Sequence, residues 1–93
     1  MEMPKIAMCD MTECFYNAKK VCHAPAINIG SDHPLCDTFM KGGMHGGAMD
    51  MTGSVGACKV DHCRHNTSFL CSAQSIKVGH HGSHADCKTY APR

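Results

Sequence analysis

The feature that most constrains this 93-residue chain is a pattern of four cysteines that occurs twice. The first copy reads C-x4-C-x7-C-x13-C and the second reads C-x4-C-x7-C-x15-C. A recurrence of this size predicts two copies of one small structural unit. The eight cysteines are Cys9, Cys14, Cys22 and Cys36 in the first copy, and Cys58, Cys63, Cys71 and Cys87 in the second.

Residues other than cysteine recur at the same spacing. The pairs include Asn17 with Asn66, Ala24 with Ala73, Ile27 with Ile76, and Gly30 with Gly79. The second copy holds two additional residues after Gly79, which we place at His80 and His81 in a surface loop, because surface loops tolerate insertions. The recurrence of apolar and turn-forming residues indicates that the repeat is structural.

Neither copy contains enough large apolar residues to form an ordinary core. The chain has no Trp, three Phe and two Tyr, and much of its apolar fraction is Cys, Met and Ala. A unit of roughly 40 residues buries too little apolar surface to offset the entropy of ordering its chain. Small units of this kind are held together by disulfides, a metal ion or a partner.

The repeat divides the chain into a module at 4–40, a linker at 41–54 and a module at 55–91. Five glycines in the linker predict a flexible tether, so each module is expected to fold independently. The expected fold class is small, metal-stabilised, irregular β-rich modules with short strands and loops and little helix. The predicted strands are Ile6–Cys9, Ala26–Ile29 and Cys36–Phe39, then Ala57–Val60, Ser75–Val78 and Cys87–Tyr90.

Glycine and asparagine predict the turns between these strands. Gly30 and Gly79 each follow a short alternating segment and are interpreted as turn residues. Asn17 and Asn66 lie within the seven-residue gaps between cysteines. Because asparagine tolerates a positive φ, we expect it to adopt one there.

Four cysteines per module form a complete ligand set for one zinc ion. Zinc is satisfied by four thiolates in a tetrahedron, and a site closed in this way is structural, with no open position for a substrate. All eight cysteines are therefore predicted metal ligands, with two zinc ions per chain. Structural zinc contributes roughly 10–16 kcal/mol in finger-like peptides, against ~3–5 kcal/mol from so small a core.

Other arrangements of the cysteines remain open. Iron also accepts four sulfurs, although the spacing lacks the C-x2-C pairs of familiar iron sites, and such a site would make the chain an electron carrier. Two disulfides per module would also hold the fold, but this is less expected in a chain without a secretory signal.

A metal buffer or carrier is a further alternative, because several Met and His residues lie outside the cysteine pattern. A Met/His-rich segment in and beside the linker holds Met40, Met44, His45, Met49 and Met51, and the loop of the second copy holds His80, His81 and His84. His33 and His84 stand at equivalent positions before the last cysteine of each copy. We interpret both as loop residues, because four sulfurs already complete a site.

Charge and motifs exclude several classes of function. A net charge of +1 does not predict nucleic-acid binding. No segment is apolar enough to span a membrane, and no signal region follows the N-terminus, so a cytoplasmic location is expected. The chain has neither a phosphate-binding loop nor a C-x2-C redox pair, and we predict that it is not an enzyme. A protein partner is the expected ligand of its surface.

The residues around the cysteines resemble those of a bacterial family, domain of unknown function 1540. The resemblance is carried by C-x4-C-x-Y-N-x4-C-x-A-x2-I-x-I followed by C-x-T-F, which the first copy matches closely. The second copy has His65 in place of Tyr16 and Tyr90 in place of Phe39, and its last loop is longer. The resemblance implies small cysteine-based metal-binding modules, often in tandem, with no established activity.

Overall fold

The computed structural model describes residues 3–30, 33–42, 46–48, 50–82 and 84–93, and these contain short strands and no helix. A strand-rich fold without helix confirms this part of the sequence prediction. No helix in the described ranges is able to cross a membrane. The strands are β1 (Lys5–Cys9), β2 (Asn17–Ala18), β3 (Val21–Cys22), β4 (Ile27–Gly30), β5 (Leu35–Cys36), β6 (Val55–Cys58), β7 (Asn66–Thr67), β8 (Leu70–Cys71), β9 (Ser75–His81) and β10 (His84–Cys87).

Six of the strands form one sheet that combines both copies of the repeat. Its order is β1-β9-β10-β5-β4-β6, in which β1, β4 and β5 belong to the first copy and the others to the second. The first strand of each copy pairs in parallel with a strand of the other copy: β1 with β9, and β6 with β4. The two copies have therefore exchanged their first strands, and the sheet reads the same from either end.

The two outer strands of this sheet meet where they begin. The Ile6 amide donates a hydrogen bond to the Gly53 carbonyl (2.9 Å), and the Val55 amide donates one to the Pro4 carbonyl (2.9 Å). The two hydrogen bonds are equivalent, because Ile6 corresponds to Val55 in the repeat and Pro4 corresponds to Gly53. They satisfy backbone groups that would otherwise lie at open sheet edges, where unpaired strands invite association.

The core lies between the sheet and the loops that follow the cysteines. Ile6 pairs with Ile76, and Ile27 pairs with Val55, so each contact across the copies joins two large apolar residues. The buried apolar residues are Ile6, Met11, Ala24, Ile27, Ile29, Val55, Val60, Ile76, Val78 and Ala85, together with Cys9, Cys14, Cys22, Cys58 and Cys63. Cysteine therefore supplies a substantial part of a small core.

Two hairpins, β2–β3 and β7–β8, fill the seven-residue gaps between cysteines. Each has a two-residue turn in which both residues have positive φ: Lys19 and Lys20 in the first copy, Ser68 and Phe69 in the second. Such turns match the twist of the strands but usually contain Gly or Asn. The prediction of positive φ at the asparagines was therefore wrong, because the turn lies two residues further along the chain.

Gly30 and Gly79 lie within strands, which corrects their prediction as turn residues. The glycine at position 30 permits a close approach of neighbouring side chains. A β-carbon there would stand 3.0 Å from Asp37 Oδ2 and 3.5 Å from Lys59 Cβ. Asp37 belongs to the first copy and Lys59 to the second.

The same arrangement recurs at the equivalent Gly79. Lys88 takes the position that corresponds to Asp37, and Asp10 takes the position that corresponds to Lys59. A β-carbon at Gly79 would lie 3.2 Å from Lys88 Cγ and 3.7 Å from Asp10 Oδ2. Here the acid again comes from the first copy and the lysine from the second. Each glycine therefore lies under side chains of opposite charge that belong to different copies.

The described part of the linker lies against the first copy. The Gly46 amide donates to the Phe15 carbonyl (2.8 Å), and the Gly53 amide donates to the Cys22 carbonyl (2.6 Å). A β-carbon at Gly47 would lie 2.5 Å from the His23 carbonyl oxygen. Close packing therefore explains why these positions hold glycine. The boundaries 4–40, 41–54 and 55–91 stay a prediction, whereas the repeated backbone contacts extend over 4–42 and 53–93.

The strands predicted at Cys36–Phe39 and Cys87–Tyr90 begin earlier than expected. In the structure β5 ends at Cys36 and β10 ends at Cys87, and the chain turns after each. The Thr38 and Thr89 hydroxyls within these turns accept hydrogen bonds from the Asn28 and Lys77 amides. The additional residues of the second copy lengthen its last hairpin, because His80 and His81 extend β9.

The exchange of strands predicts that both copies unfold together. Ile76→Val removes one methylene from a side chain that is 1% exposed and paired with Ile6, which should lower the free energy of unfolding by about 0.5–1.5 kcal/mol. Amide hydrogen exchange should show reduced protection in β4 and β9 alike. Lys77→Gln, on the exposed face of the same strand, is the control. Loss of protection in the second copy alone would contradict the shared sheet.

Candidate metal centres

The ends of the strands deliver the cysteines of each copy to one region. In the first copy, Cys9, Cys22 and Cys36 each end a strand. Cys14 lies in the loop after β1 and forms an isolated antiparallel bridge with Lys41. The second copy repeats the arrangement, with Cys58, Cys71 and Cys87 at strand ends and Cys63 bridged to Pro92.

The four cysteines of each copy line one small cavity, of about 20 Å³ in both cases, which is room for a single particle of the size of a water molecule. We call these the first cavity (Cys9, Cys14, Cys22, Cys36) and the second cavity (Cys58, Cys63, Cys71, Cys87). All eight cysteines are free thiols in the structure. Each predicted ligand set is thus brought around one space.

Both cavities are completed by residues of the opposite copy. Val78 and Ala85 of the second copy line the first cavity. Ile29 and Pro34 of the first copy line the second cavity. The strand exchange that forms the sheet therefore also builds the walls of both sites.

The sulfurs around each cavity are less tightly clustered than the ligands of a bound metal ion. Among the residues that the structure describes, no three His, Cys, Asp or Glu side chains are grouped closely enough to hold a metal ion. A bound ion would therefore require the four sulfurs of a cavity to move inward. Any metal-binding function therefore requires this movement of the sulfurs.

Backbone N–H groups that follow the cysteines lower the pKa of the cysteine thiols in a repeated pattern. The donor stands two residues after the cysteine: Met11 for Cys9 and Ala24 for Cys22. Cys36 receives two such donors, from Thr38 and Phe39, and Cys87 likewise receives them from Thr89 and Tyr90. Donors of this kind offset the negative charge of thiolates, so the turns after the cysteines suit thiolate ligands.

Burial opposes ionisation of the same sulfurs. Desolvation raises the pKa of Cys36 to about 12 and that of Cys87 to about 11, although the N–H donors lower both in part. Desolvation also raises the pKa of Cys9, Cys22 and Cys71. Negative charge on the other cysteines of the same cavity adds to the increase, so the charge of several thiolates needs a cation to balance it.

Two buried asparagines connect the hairpins to the cysteines. The Asn17 side-chain amide donates to the Cys9 carbonyl (2.8 Å), and its oxygen accepts from the Lys20 amide (3.1 Å). Asn66 makes the equivalent bonds with the Cys58 carbonyl and the Phe69 amide. The asparagines therefore hold the positive-φ turns against the first cysteine of each copy.

The histidines predicted as loop residues do not line either cavity. His33 lies in a turn, whereas His84 begins β10, so the loop prediction was wrong for His84. Both residues are exposed and absent from both walls. His80 instead lies 3.6 Å from the Glu13 carboxylate. Among the residues considered for metal storage, Met40 and Met51 are exposed and line neither cavity, and Met44, His45 and Met49 lie outside the described residues.

One histidine of the second cavity was not assigned to a site from the sequence. His65 lines the second cavity beside the four cysteines, at the position where Tyr16 lines the first. The sequence does show that the first copy has Tyr16 where the second has His65. Spacing alone does not reveal that this position faces the cysteine sulfurs.

The chemistry of both cavities fits a thiophilic ion. Four thiols and several N–H donors surround a space that holds one small particle. Zinc and iron both accept four sulfurs, and either would provide the positive charge that buried thiolates lack. The residues that would hold the ions are the eight cysteines.

The raised pKa values predict an alkaline limit to the stability of the metal-free chain. Since the fold favours the neutral thiol, the contribution of Cys36 is complete below the ordinary pKa of 9.0 and is lost as the pH rises toward about 12. Urea unfolding with chelator and reductant present should show a level free energy up to about pH 9 and a fall above it. Cys36→Ser with Cys87→Ser should reduce the fall, and an unchanged slope in that variant would contradict the assignment.

Comparison with known proteins gives one family and no closer relative. No curated protein and no solved structure matches the chain. The family model described as Domain of Unknown Function (DUF1540) matches residues 8–39 and, a second time, residues 57–90. These segments include all eight cysteines and cover well over half of the chain, so this protein belongs to the DUF1540 family and carries its domain twice.

Proposed function

We propose that the chain binds two zinc ions, one in each four-cysteine cavity, and that the ions are structural. The observation that carries the proposal is the convergence of four free thiols on one small cavity in each copy, with N–H donors directed at the sulfurs. Four thiolates close a tetrahedral ion and leave no position for a substrate. The function is therefore binding, without catalysis.

The size of the core supports a stabilising role for the ions. Among the residues that the structure describes, fifteen apolar residues are buried, and five of these are cysteines. An ion that draws the four sulfurs of a cavity inward would fix the ends of three strands at once. Because both cavities include residues of both copies, each ion would stabilise the whole sheet.

A reducing compartment suits this function. Free thiols persist in the cytosol, where clustered cysteines more often bind metal than form disulfides. A cytoplasmic location is therefore part of the proposal, and so is a protein partner that recognises the surface shaped by the ions. Iron in the same cavities is the alternative that the ligand chemistry allows.

Metal stoichiometry tests the proposal directly. Intact mass under non-denaturing conditions, after reconstitution in reductant, should show two zinc ions per chain. Cys14→Ser should retain one ion, because it removes a ligand from the first cavity alone. A mass lowered by lost thiol hydrogens, with no metal, would support disulfides instead. Visible colour that bleaches on reduction would support iron.

Zinc should reverse the pH dependence of stability. In the loaded protein the ligands are thiolates, so protons compete with the ion, and stability is retained at alkaline pH and lost as the pH falls. Thermal unfolding from pH 4 to pH 10, with and without zinc, measures the reversal. A melting temperature that does not depend on zinc at any pH would exclude a structural ion.

A further inference from the structure

The walls of the two cavities differ in one donor. Tyr16 lines the first cavity, and its equivalent His65 lines the second. The threonines Thr38 and Thr89 occupy corresponding places in the two walls. An imidazole nitrogen binds zinc readily, whereas a neutral phenol does not. The second cavity therefore has five candidate donors where the first has four.

The backbone holds His65 against Ser72, the residue that follows Cys71. Ser72 donates two hydrogen bonds to the His65 carbonyl, from its amide (2.7 Å) and from its hydroxyl (2.8 Å). The adjacent pair in the same hairpin joins Asn66 with Cys71. His65 and Cys71 both line the second cavity.

Cys71 is more exposed to solvent than its equivalent Cys22. Cys22 is 7% exposed, and Gly53 of the linker lies so near that a β-carbon there would stand 2.8 Å from Cys22 Sγ. Cys71 is partly exposed. Ala24 beside Cys22 is buried, whereas its equivalent Ala73 is not.

We propose that His65 is an alternative ligand of the second cavity, where it replaces Cys71 on a bound divalent ion. This inference rests on the proposed metal-binding function. On exchange, the Cys71 thiolate leaves the ion and takes up a proton, and a ring nitrogen of His65 donates its lone pair to the ion. The formal negative charge of the site falls by one, and no electron is transferred. The second site is the labile one, and the first is closed by sulfur alone.

Equivalent cysteine substitutions give opposite results under this proposal. Cys71→Ser should retain two zinc ions per chain in non-denaturing mass spectrometry, because His65 completes the second site, whereas Cys22→Ser should retain one. Adding His65→Tyr to Cys71→Ser should remove the second ion. The control adds His62→Tyr instead, at an exposed position of the same loop outside the cavity wall, and should leave both ions bound.

Binding strength gives a second measure of the same exchange. With Co²⁺ as the probe and a coloured chelator as competitor, adding His65→Tyr to Cys71→Ser should weaken the second site by about tenfold or more. The visible spectrum of Co²⁺ should differ between the two sites of the Cys71→Ser chain, because one nitrogen replaces one sulfur. Loss of the second ion in Cys71→Ser alone would overturn the proposal.

The wild-type protein provides a measurement that does not depend on the folding of any variant. Correlation spectra of the histidine ring nitrogens, recorded during titration with zinc, should show the His65 ring changing to a ligated form while His33 and His84 stay unchanged. A His65 ring that does not respond while two ions bind would overturn this inference and leave the metal-binding function intact. Absence of any bound ion would overturn both.

Discussion

The parallel pairing of each copy's first strand with the other copy is the interaction on which the rest of the structure depends. It places Ile6 on Ile76 and Ile27 on Val55, and it carries residues of each copy into the opposite cavity wall. A half-chain alone would lack one strand of its sheet and part of its site. The two copies thus form one interlocked unit with two related cavities.

The sequence predicted what local patterns encode. The repeat, the strands at β1, β4, β6 and β9, and the lack of helix in the described residues follow from spacing and from alternation of apolar residues. The exchange of strands could not be predicted, because β1 and β6 have similar residue patterns. Each would be able to pair with the corresponding strand of either copy. The turns at Lys19–Lys20 and Ser68–Phe69 were also missed, since their positive φ is supported by an asparagine side chain rather than by glycine in the turn.

The candidate sites balance two opposing effects on the thiols. Burial raises the pKa of Cys36 and Cys87, which favours neutral sulfur, whereas the N–H donors at the following turns favour thiolate. A bound cation would make the ionised form the stable one, since it would supply the charge that the apolar wall lacks.

The charges over the two glycines suit the pairing of unlike copies. At Gly30 the first copy contributes Asp37 and the second contributes Lys59; at Gly79 the first contributes Asp10 and the second Lys88. The same strand exchange between two first copies would place two aspartates over each glycine, and between two second copies it would place two lysines there. Like charges at such a contact are unfavourable. The opposite charges therefore favour pairing of the first copy with the second, whether the two belong to one chain or to different chains. The linker favours pairing within one chain, because it packs against the first copy and brings β6 of the second copy beside β4 of the same chain.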